Sequence, residues 1–350
     1  MEIKEILTSA IERKASDIFI VAGTQLAFKI SGNIETVNDE ILTPTDTLRL
    51  IEDIYKLDNN NDVDFKELKE DDFSFSLSNI GRFRVNIYRQ RSSLATVLRV
   101  VSFNLPDPTE NHILPSILDL ANLTKGLVLV TGSAGSGKST TLACIVDEIN
   151  RTKNDHIITI EDPIEYLHKH RKSIVSQREI GHDTEDYIVA LRAALREAPD
   201  VILVGEMRDL ETVSVALTAA ETGHLVLSTL HTSSASDAIS RIIDIFPPNQ
   251  QEQIRVQLTM TLQAVIAQQL IKGKDGEMYP CFEFMKTCPG IRTQIRENKL
   301  HLIDNQIMLN RGNGMITMDD SILDLYKKGI IDKSSALSHC KNPETLIDKL

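Results

Sequence analysis

The sequence contains few cysteines, and none of them is arranged in a way that suggests a metal site or a disulfide framework. The four cysteines, Cys144, Cys281, Cys288 and Cys340, form no Cys-x-x-Cys pair. Zinc ribbons and disulfide scaffolds depend on closely spaced cysteines, so both are excluded as the organising feature. We expect reduced thiols in a cytoplasmic protein. Half of a metal site at Cys281 and Cys288 is a minor alternative.

Long hydrophobic runs and an excess of positive charge are also absent. No stretch of 18 or more consecutive apolar residues occurs, so we expect no membrane span and only peripheral membrane association. The first residues mix charged and apolar side chains and lack the apolar centre of a signal peptide. The net charge is −12, which opposes nucleic-acid binding through the overall field. We expect a cytoplasmic protein with no direct nucleic-acid partner.

The length and the hydrophobic pattern predict two domains. A chain of 350 residues accommodates two domains of roughly 150 residues. Residues 1–103 mix helical patches with alternating strands, predicted over 17–21, 27–30, 82–88 and 94–101. Pro106 and Pro108 interrupt both kinds of element and predict a linker over 104–121. A larger domain follows over 122–350.

The larger domain alternates short apolar runs with helical segments, which is typical of an α/β fold with a parallel sheet covered on both faces. The predicted strands cover 127–131, 156–160, 173–176, 201–204 and 225–229. From about residue 249 the pattern predicts mainly helices, with one strand over 278–284. Ligands bind such sheets at the carboxyl ends of the strands, so we expect the functional residues there.

The clearest motif is a complete P-loop directly after the strand predicted over 127–131. Glycines in such a loop let backbone N–H groups and a helix N-terminus approach the phosphates. Lys138 has the reach to neutralise the β and γ phosphates of ATP, and the Ser139 hydroxyl is placed to bind Mg²⁺. We predict that the nucleotide is held by Gly132, Ser133, Ala134, Gly135, Ser136, Gly137, Lys138, Ser139 and Thr140.

Two predicted strands end in carboxylates that hydrolysis of ATP requires, because a carboxylate must orient or deprotonate the attacking water. Glu206 follows one apolar run and is the preferred base, while Gly205 stands where many such ATPases carry a magnesium-binding aspartate. Glu161, Asp162 and Glu165 follow another strand and are candidates for contacts to Mg²⁺ or water. The alternative for Asp162 and Glu165 is a helix N-cap.

Histidines flank the strand predicted over 225–229. His224 precedes that strand and His231 follows it, with Ser228 and Thr229 near its end. Such a strand end can sense the γ-phosphate of a bound nucleotide. The alternative for each histidine is a structural residue with satisfied hydrogen bonds.

Arginines are concentrated near the end of the first domain. The stretch 82–99 holds five arginines and no lysine: Arg82, Arg84, Arg89, Arg91 and Arg99. The two-residue alternation of a strand places Arg82 and Arg84 on one face. Arg192 and Arg196, four residues apart, are predicted to form a comparable face on a helix. Arginines used as a group indicate recognition of phosphate or carboxylate, and a solvated surface is the alternative.

Four blocks resemble, in order, the motifs of the secretion ATPases of type IV pilus and type II secretion systems. GSAGSGKSTT at 132–141, IITIEDPIEY at 157–166, ALREAPDVILVGEMRD at 194–209 and TAAETGHLVLSTLHTSSA at 218–235 are similar to the family's Walker A, Asp box, Walker B and His box. Segments at 15–23 and 81–91 resemble its N-terminal domain. The resemblance implies an α/β, RecA-like P-loop ATPase domain with a smaller α+β PAS-like N-terminal domain.

The resemblance also implies roles for individual residues. It places Glu206, Glu161, His231 and the arginines Arg82, Arg84 and Arg99 in catalysis. It implies that Ser139, Glu161 and Asp162 bind Mg²⁺. It also implies that His224 binds ATP together with the P-loop residues.

The family resemblance implies a homo-hexameric ring whose deformation during ATP turnover moves an inner-membrane platform protein. The segment GIRTQIREN at 290–298 resembles the retraction signature AIRNLIRE, from which Gly290, Thr293 and Gln294 depart. A four-cysteine zinc element and a longer N-terminal region, typical of assembly and type II secretion ATPases, are absent. Pilus retraction, or an accessory role beside related pilus ATPases, is therefore favoured. The rivals are a nucleic-acid translocase and a nucleotide-binding subunit with negligible turnover.

Overall fold

The structure is a computed structural model that describes residues 2–30, 32–58, 62–77, 80–101 and 105–350. The chain divides into two compact units. The N-terminal unit comprises Met1–Asn104 with Glu165–Leu167, and the C-terminal unit comprises Leu105–Ile164 with His168–Leu350. The predicted domain boundary between 103 and 104 lies outside the described residues. Across those described ranges, no helix combines the length and the apolar character that crossing a membrane requires.

The N-terminal unit is an antiparallel sheet with two helices. The helices are α1 (Ile3–Glu12) and α2 (Pro44–Leu57). The strands are β1 (Asp17–Ile20), β2 (Gln25–Ile30), β3 (Asn33–Ile41), β4 (Glu70–Leu77), β5 (Gly81–Gln90) and β6 (Ser93–Val101). Their order in the sheet is β3-β2-β1-β6-β5-β4, and every neighbouring pair is antiparallel.

Alternation along the strands separates a buried face of this sheet from a polar one. On β5, Phe83, Val85 and Ile87 are fully buried and pack with α1 and α2 in one hydrophobic core. Arg82 and Arg84 therefore extend from the opposite face. The two-residue turn between β5 and β6 forms the hairpin that the sequence pattern predicts.

The C-terminal unit alternates strands and helices around one sheet. Its strands are β7 (Gly126–Thr131), β8 (His156–Glu161), β9 (Ile174–Glu179), β10 (Val201–Val204), β11 (Leu225–Leu230), β12 (Leu262–Lys272) and β13 (Met278–Lys286). Its helices begin with α3 (Pro115–Leu118), α4 (Lys138–Thr152), α5 (Tyr187–Ala194), α6 (Leu210–Glu221), α7 (Ala235–Asp244) and α8 (Pro248–Thr261). They continue with α9 (Pro289–Arg296), α10 (Ile303–Leu309), α11 (Met318–Lys327), α12 (Lys333–His339) and α13 (Pro343–Ile347), and 3-10 turns cover Asp119–Asn122, Leu300–Leu302 and Arg311–Asn313.

The sheet of this unit has the order β13-β12-β7-β11-β10-β8-β9. All neighbouring strands are parallel except β12 and β13, which form an antiparallel edge. Successive residues of β7 are buried on opposite faces, with Leu127 and Leu129 in one core and Val128 and Val130 in the other. A central strand covered on both faces is therefore a continuous apolar run rather than an alternating one.

Two expectations about local structure are wrong. Residues 262–272 form strand β12, whereas the sequence pattern predicts helix there. Because Ala264 to Ala267 are buried on both sides of the sheet, β12 has no alternation, and pairing with β7 outweighs the helix preference of its alanines and glutamines. The predicted helical face of Arg192 and Arg196 is also wrong, because α5 ends at Ala194 and Arg196 lies beyond it.

Candidate active site

The P-loop connects β7 to α4 and leaves its phosphate-binding groups accessible. Gly135 and Gly137 have φ values of 75° and 89°, which glycine adopts without the steric cost of a side chain. Gly137 is the residue that caps the N-terminus of α4. The Lys138 ammonium donates to the carbonyl oxygens of Gly132 at 2.9 Å and of Ser133 at 3.0 Å. The lysine therefore lies folded over the loop, where a phosphate would meet it.

Four parallel strands bring the candidate residues to one edge of the sheet. In spatial order, the P-loop follows β7, His231 follows the last residue of β11, Glu206 lies two residues beyond β10, and Glu161 is the last residue of β8. Neighbouring strands lie about 4.8 Å apart, so these four ends span roughly 15 Å. The chain thus places phosphate-binding backbone, a histidine and two carboxylates along a single edge.

Hydrogen bonds from β11 hold the turn that carries Glu206. The Ser228 hydroxyl donates to the Val204 carbonyl oxygen at 2.7 Å, and the Thr229 hydroxyl donates to the Gly205 carbonyl oxygen at 2.5 Å. Both hydroxyl-bearing residues are buried. They fix the backbone immediately before Glu206, which is the role that the structure gives to Ser228 and Thr229.

The Glu206 carboxylate interacts with a cation and a histidine. Its Oε2 lies 2.7 Å from Arg208 Nη2 and 3.4 Å from His231 Nε2. Burial raises the pKa of Glu206, but the hydrogen bond from Arg208 and the charge of His231 outweigh burial and lower that pKa overall. Glu206 is therefore a carboxylate at neutral pH, as a base requires. Since the Arg208 side chain is 72% exposed, the ion pair is weak enough to yield to an incoming nucleotide.

Glu161 lies at the end of β8 with one carboxylate oxygen already oriented. Its Oε1 accepts from the Thr159 hydroxyl at 2.7 Å and from Gln177 Nε2 at 3.2 Å. Asp162 is exposed beside it, while Glu165 belongs to the N-terminal unit. Within the described residues no three His, Cys, Asp or Glu side chains converge on a metal position. Any Mg²⁺ here would depend on hydroxyl and phosphate oxygens as well.

Tyr187 occupies the space that a side chain at position 205 would need. A Cβ atom on Gly205 would lie 2.9 Å from the Tyr187 hydroxyl oxygen and 3.2 Å from the Ile160 carbonyl oxygen. Burial, with the nearby charges of Asp162 and Glu206, raises the pKa of Tyr187, so the phenol stays protonated. The glycine in place of the usual aspartate thus makes room for a hydrogen-bond donor beside the carboxylates.

We expect Gly205→Ala to destabilise the protein by about 1–3 kcal/mol and to lower ATP turnover, because the added methyl group must displace Tyr187 or the turn carrying Glu206. Thermal unfolding and steady-state phosphate release check this. Gly312→Ala is the matched control, since no atom lies within 4 Å of the added Cβ there. Adding Tyr187→Phe should recover part of the stability. A Gly205→Ala protein as stable as the wild type would contradict the assigned contact.

The structure does not bring His224 to the P-loop of its own chain. His224 precedes β11, and its Nδ1 lies 2.9 Å from the carbonyl oxygen of Ala219 at the end of α6. β11 runs parallel to β7 and is six residues long, so His224 lies roughly 20 Å from the strand ends near the P-loop. At that distance His224 does not reach a nucleotide bound to the P-loop of the same chain, so its contact with ATP stays a prediction.

The three arginines predicted for catalysis lie on one face of the N-terminal sheet. Arg84 is directly opposite Arg99 on β6, and Arg99 is opposite Asp17 on β1. Arg84 forms an ion pair with Asp72 at 2.7 Å, and Arg99 forms one with Asp17 at 3.2 Å. Arg82 follows the same alternation and donates to Ser76 Oγ at 3.3 Å. The face is thus rich in guanidinium groups and opposite the core.

Arg89 has a different role from these three arginines. It donates to the backbone carbonyl oxygens of Phe65, Lys66 and Leu68 and so holds the segment before β4. Arg208 and Gln268 are residues near the P-loop edge that the sequence patterns do not single out. The two-residue spacing of Arg208 from Glu206 is a sequence signal that points to their contact. The position of Gln268 has no such local signal, because it depends on the pairing of β12 with β7.

Comparisons with known proteins agree along the whole chain. The family of type II/IV secretion system proteins matches residues 1–314. The chain is 42% identical over 344 residues to the type IV pilus retraction ATPase PilT of Pseudomonas aeruginosa, covering 98% of this chain and 99% of that one. It is 39% identical over 348 residues to the type IV pilus ATPase PilU of the same organism, covering 99% and 90%. A crystal structure of the pilus retraction motor PilT with bound ADP superposes with a TM-score of 0.89 at 46% identity, covering 99% of both chains.

Proposed function

Because the chain belongs to the type II/IV secretion system protein family, we propose that it is an ATP-hydrolysing motor that powers retraction of a type IV pilus. The predicted family and the predicted α/β fold class, a RecA-like ATPase domain with a smaller N-terminal domain, are confirmed by the same matches. The observation that carries the function is similarity to PilT over 98% of the chain, joined to a P-loop that shares one sheet edge with Glu206.

The P-loop holds the phosphates of ATP. Lys138 exchanges the carbonyl oxygens of Gly132 and Ser133 for the β and γ phosphate oxygens, and the backbone N–H groups at the N-terminus of α4, which Gly137 caps, face the anion. The bound ADP in the PilT crystal structure supports nucleotide binding by this chain. ATP binding therefore replaces contacts inside the loop with contacts to the substrate.

Mg²⁺ fits the donor set of this edge. The Ser139 hydroxyl and the carboxylates of Glu161 and Asp162 are hard oxygen ligands, and the Thr159 hydroxyl orients one oxygen of the Glu161 carboxylate. When bound, Mg²⁺ neutralises charge on the β and γ phosphate oxygens. Ser139, Glu161 and Asp162 are therefore the residues proposed to hold the ion with its waters.

Glu206 orients the water that attacks the γ phosphorus, in line with the β–γ bridging oxygen that leaves with ADP. Binding of the nucleotide releases Glu206 from Arg208, whose side chain is largely exposed. His231, 3.4 Å from the same carboxylate, keeps Glu206 in place and connects it to the end of β11. The position of Glu206 is thereby coupled to β11, the strand that pairs with β7 beside the P-loop.

Arginines of the N-terminal sheet are proposed to act on the ATP of a neighbouring subunit in the homo-hexamer. Arg82, Arg84 and Arg99 lie on the face of the sheet opposite its core. Guanidinium groups supplied by another subunit stabilise the charge of a transferred phosphoryl group. Their carboxylate partners, Asp72 and Asp17, are exchanged for phosphate on assembly. Each ATP thus joins two parts of the ring.

The proposed partners follow from the motor function. Ring deformation turns a PilC-like platform protein in the inner membrane, and the motor acts in the cytoplasm as a peripheral component at the inner face of that membrane. Related pilus ATPases of the same machinery are further partners. The net charge of −12 supports the absence of a nucleic-acid partner.

Deletion of the gene is expected to leave cells with an excess of surface pili that fail to retract, because extension continues without its opposing motor. Pili counted by electron microscopy, in the deletion strain and after complementation, provide the measurement. Complementation with the Glu211→Gln variant serves as a control, since the Glu211 ion pair with Arg192 is exposed. Bald cells would overturn the proposal and indicate an assembly motor.

An accessory role is the second candidate, because the chain is nearly as similar to PilU as to PilT. The two roles differ in what remains after deletion. Loss of an accessory ATPase leaves pilus number unchanged and weakens retraction under load. A normal pilus count with reduced retraction force, measured with an optical trap, would therefore select the accessory role.

A further inference from the structure

A buried glutamine on β12 joins the P-loop to the helix that follows it. In the pairing of β12 with β7, Ala267 is opposite Thr131, so Gln268 lies beside the first residue of the P-loop. Gln268 is 3% exposed, and both ends of its carboxamide are bonded. Its Nε2 donates to the Ser136 carbonyl oxygen at 2.6 Å, and its Oε1 accepts from the Thr141 hydroxyl at 2.8 Å.

The P-loop lies close against Gln268 at two of its glycines, Gly132 and Gly137. A Cβ on Gly132 would be 2.3 Å from the backbone carbonyl oxygen of Gln268, and one on Gly137 would be 3.0 Å from its Nε2. Backbone oxygen does not give way as the end of a flexible side chain does. The P-loop backbone therefore packs directly against β12, and this close approach requires glycine at positions 132 and 137.

The bond to Ser136 determines the direction of a neighbouring N–H group. A trans peptide group is planar, with its carbonyl oxygen and N–H on opposite sides. Because Gln268 holds the Ser136 carbonyl oxygen on the side of β12, the Gly137 N–H is directed away from that strand. Gly137 caps α4, so this N–H belongs to the set that an anion at the helix N-terminus would accept from.

We propose that Gln268 is a positioning residue for nucleotide binding, which orients the Ser136–Gly137 peptide so that its N–H donates to a phosphate oxygen. Gln268 itself does not touch the nucleotide. The inference rests on the proposed binding of ATP by the P-loop, and it extends that proposal to a residue on a neighbouring strand. A carboxamide suits this position because it donates to one partner and accepts from the other.

A purely structural role makes a different prediction from a positioning role. If Gln268 only satisfied buried groups, removal of either of its bonds would lower stability alike and leave affinity unchanged. The Thr141→Val variant removes the bond at Oε1 and keeps the bond to Ser136. The Gln268→Glu variant instead places an oxygen against the Ser136 carbonyl oxygen and removes the donor that fixes the peptide.

The experiment measures the Kd of a fluorescent ADP analogue, mant-ADP, together with thermal unfolding. Gln268→Glu and the uncharged Gln268→Leu are expected to weaken binding by about ten- to hundredfold, as for a lost hydrogen bond to a charged group. Thr141→Val should lose stability with a Kd within threefold of the wild type. Gln269→Glu is the matched control, because Gln269 also donates to a backbone carbonyl oxygen, that of His339, outside the P-loop.

The outcomes separate this inference from the function on which it rests. A wild-type protein that fails to bind mant-ADP would contradict the proposed ATPase itself. A wild type that binds, with folded Gln268→Leu protein binding within twofold as tightly, would overturn the positioning role alone. Equal weakening by Thr141→Val and Gln268→Leu would also overturn it, because the bond to Ser136 would then have no special effect.

Discussion

Glu206→Gln is expected to bind ATP nearly as well as the wild type and to lose roughly 10²- to 10⁴-fold in kcat, the usual contribution of a positioned acid or base. Glutamine has the shape of glutamate and keeps the contact with His231, but it cannot accept the proton of the attacking water. Because the pKa of Glu206 is lowered, the wild-type residue is ionised at neutral pH, where turnover is measured. Steady-state phosphate release and equilibrium binding of ATP give the two quantities.

Glu211→Gln is the control for the loss of a negative charge near this edge. Glu211 lies in the first turn of α6 and forms an exposed ion pair with Arg192, so its replacement should leave kcat within about twofold. Undiminished hydrolysis by Glu206→Gln would remove Glu206 from the mechanism. A wild-type protein that binds ATP without releasing phosphate would instead indicate a regulatory subunit.

Lys138→Ala is expected to weaken ATP binding by roughly a hundredfold or more, because charge-assisted hydrogen bonds to two phosphate groups are lost. The free protein should remain folded, since the hydrogen bonds that the lysine donates to the carbonyl oxygens of Gly132 and Ser133 lie within the loop. Isothermal titration calorimetry with ATP measures the affinity, and thermal unfolding without nucleotide measures the stability.

Lys153→Ala offers a closely matched control for this substitution. Lys153 follows the other end of α4, and its ammonium also donates to a backbone carbonyl oxygen, that of Leu123. The same change in charge at the far end of one helix should leave the Kd for ATP within about threefold. Comparable weakening in both variants would mean that the overall charge, rather than the position of Lys138, governs binding.

The parts of the fold that are predictable from sequence are those determined by local pattern. Apolar runs followed by glycine, a carboxylate or, for β11, a histidine locate β7, β8, β10 and β11, because central parallel strands are largely continuous apolar segments. The same rule fails for β12, whose alanines and glutamines are typical of a helix. Its strand conformation depends on pairing with β7, more than 130 residues earlier in the chain, and a local pattern contains no information about that partner.

The candidate site divides in the same way. Glu161 and Glu206 lie at or just beyond the ends of strands, and Lys138 and Ser139 follow the loop after β7. The convergence of strand ends in a parallel sheet therefore predicts their proximity. Tyr187 and Gln268 are side chains from other segments whose positions depend on tertiary packing.

His224 is a residue whose place in the His box predicts a contact with the nucleotide. Within one chain, however, the direction of β11 puts it at the amino end of that strand, opposite the end near the P-loop. Proximity along the sequence is therefore a weaker guide than the end of the strand on which a residue lies.

Time-lapse imaging of fluorescently labelled pili, in a strain whose own gene encodes the Glu206→Gln variant, tests the central claim most directly. It connects one carboxylate at the strand edge to the movement that the protein is proposed to drive. Pili are predicted to extend normally and to remain extended, with retraction events lost while the variant protein is present at wild-type abundance. Retraction at the wild-type frequency and speed in that strain would contradict the account.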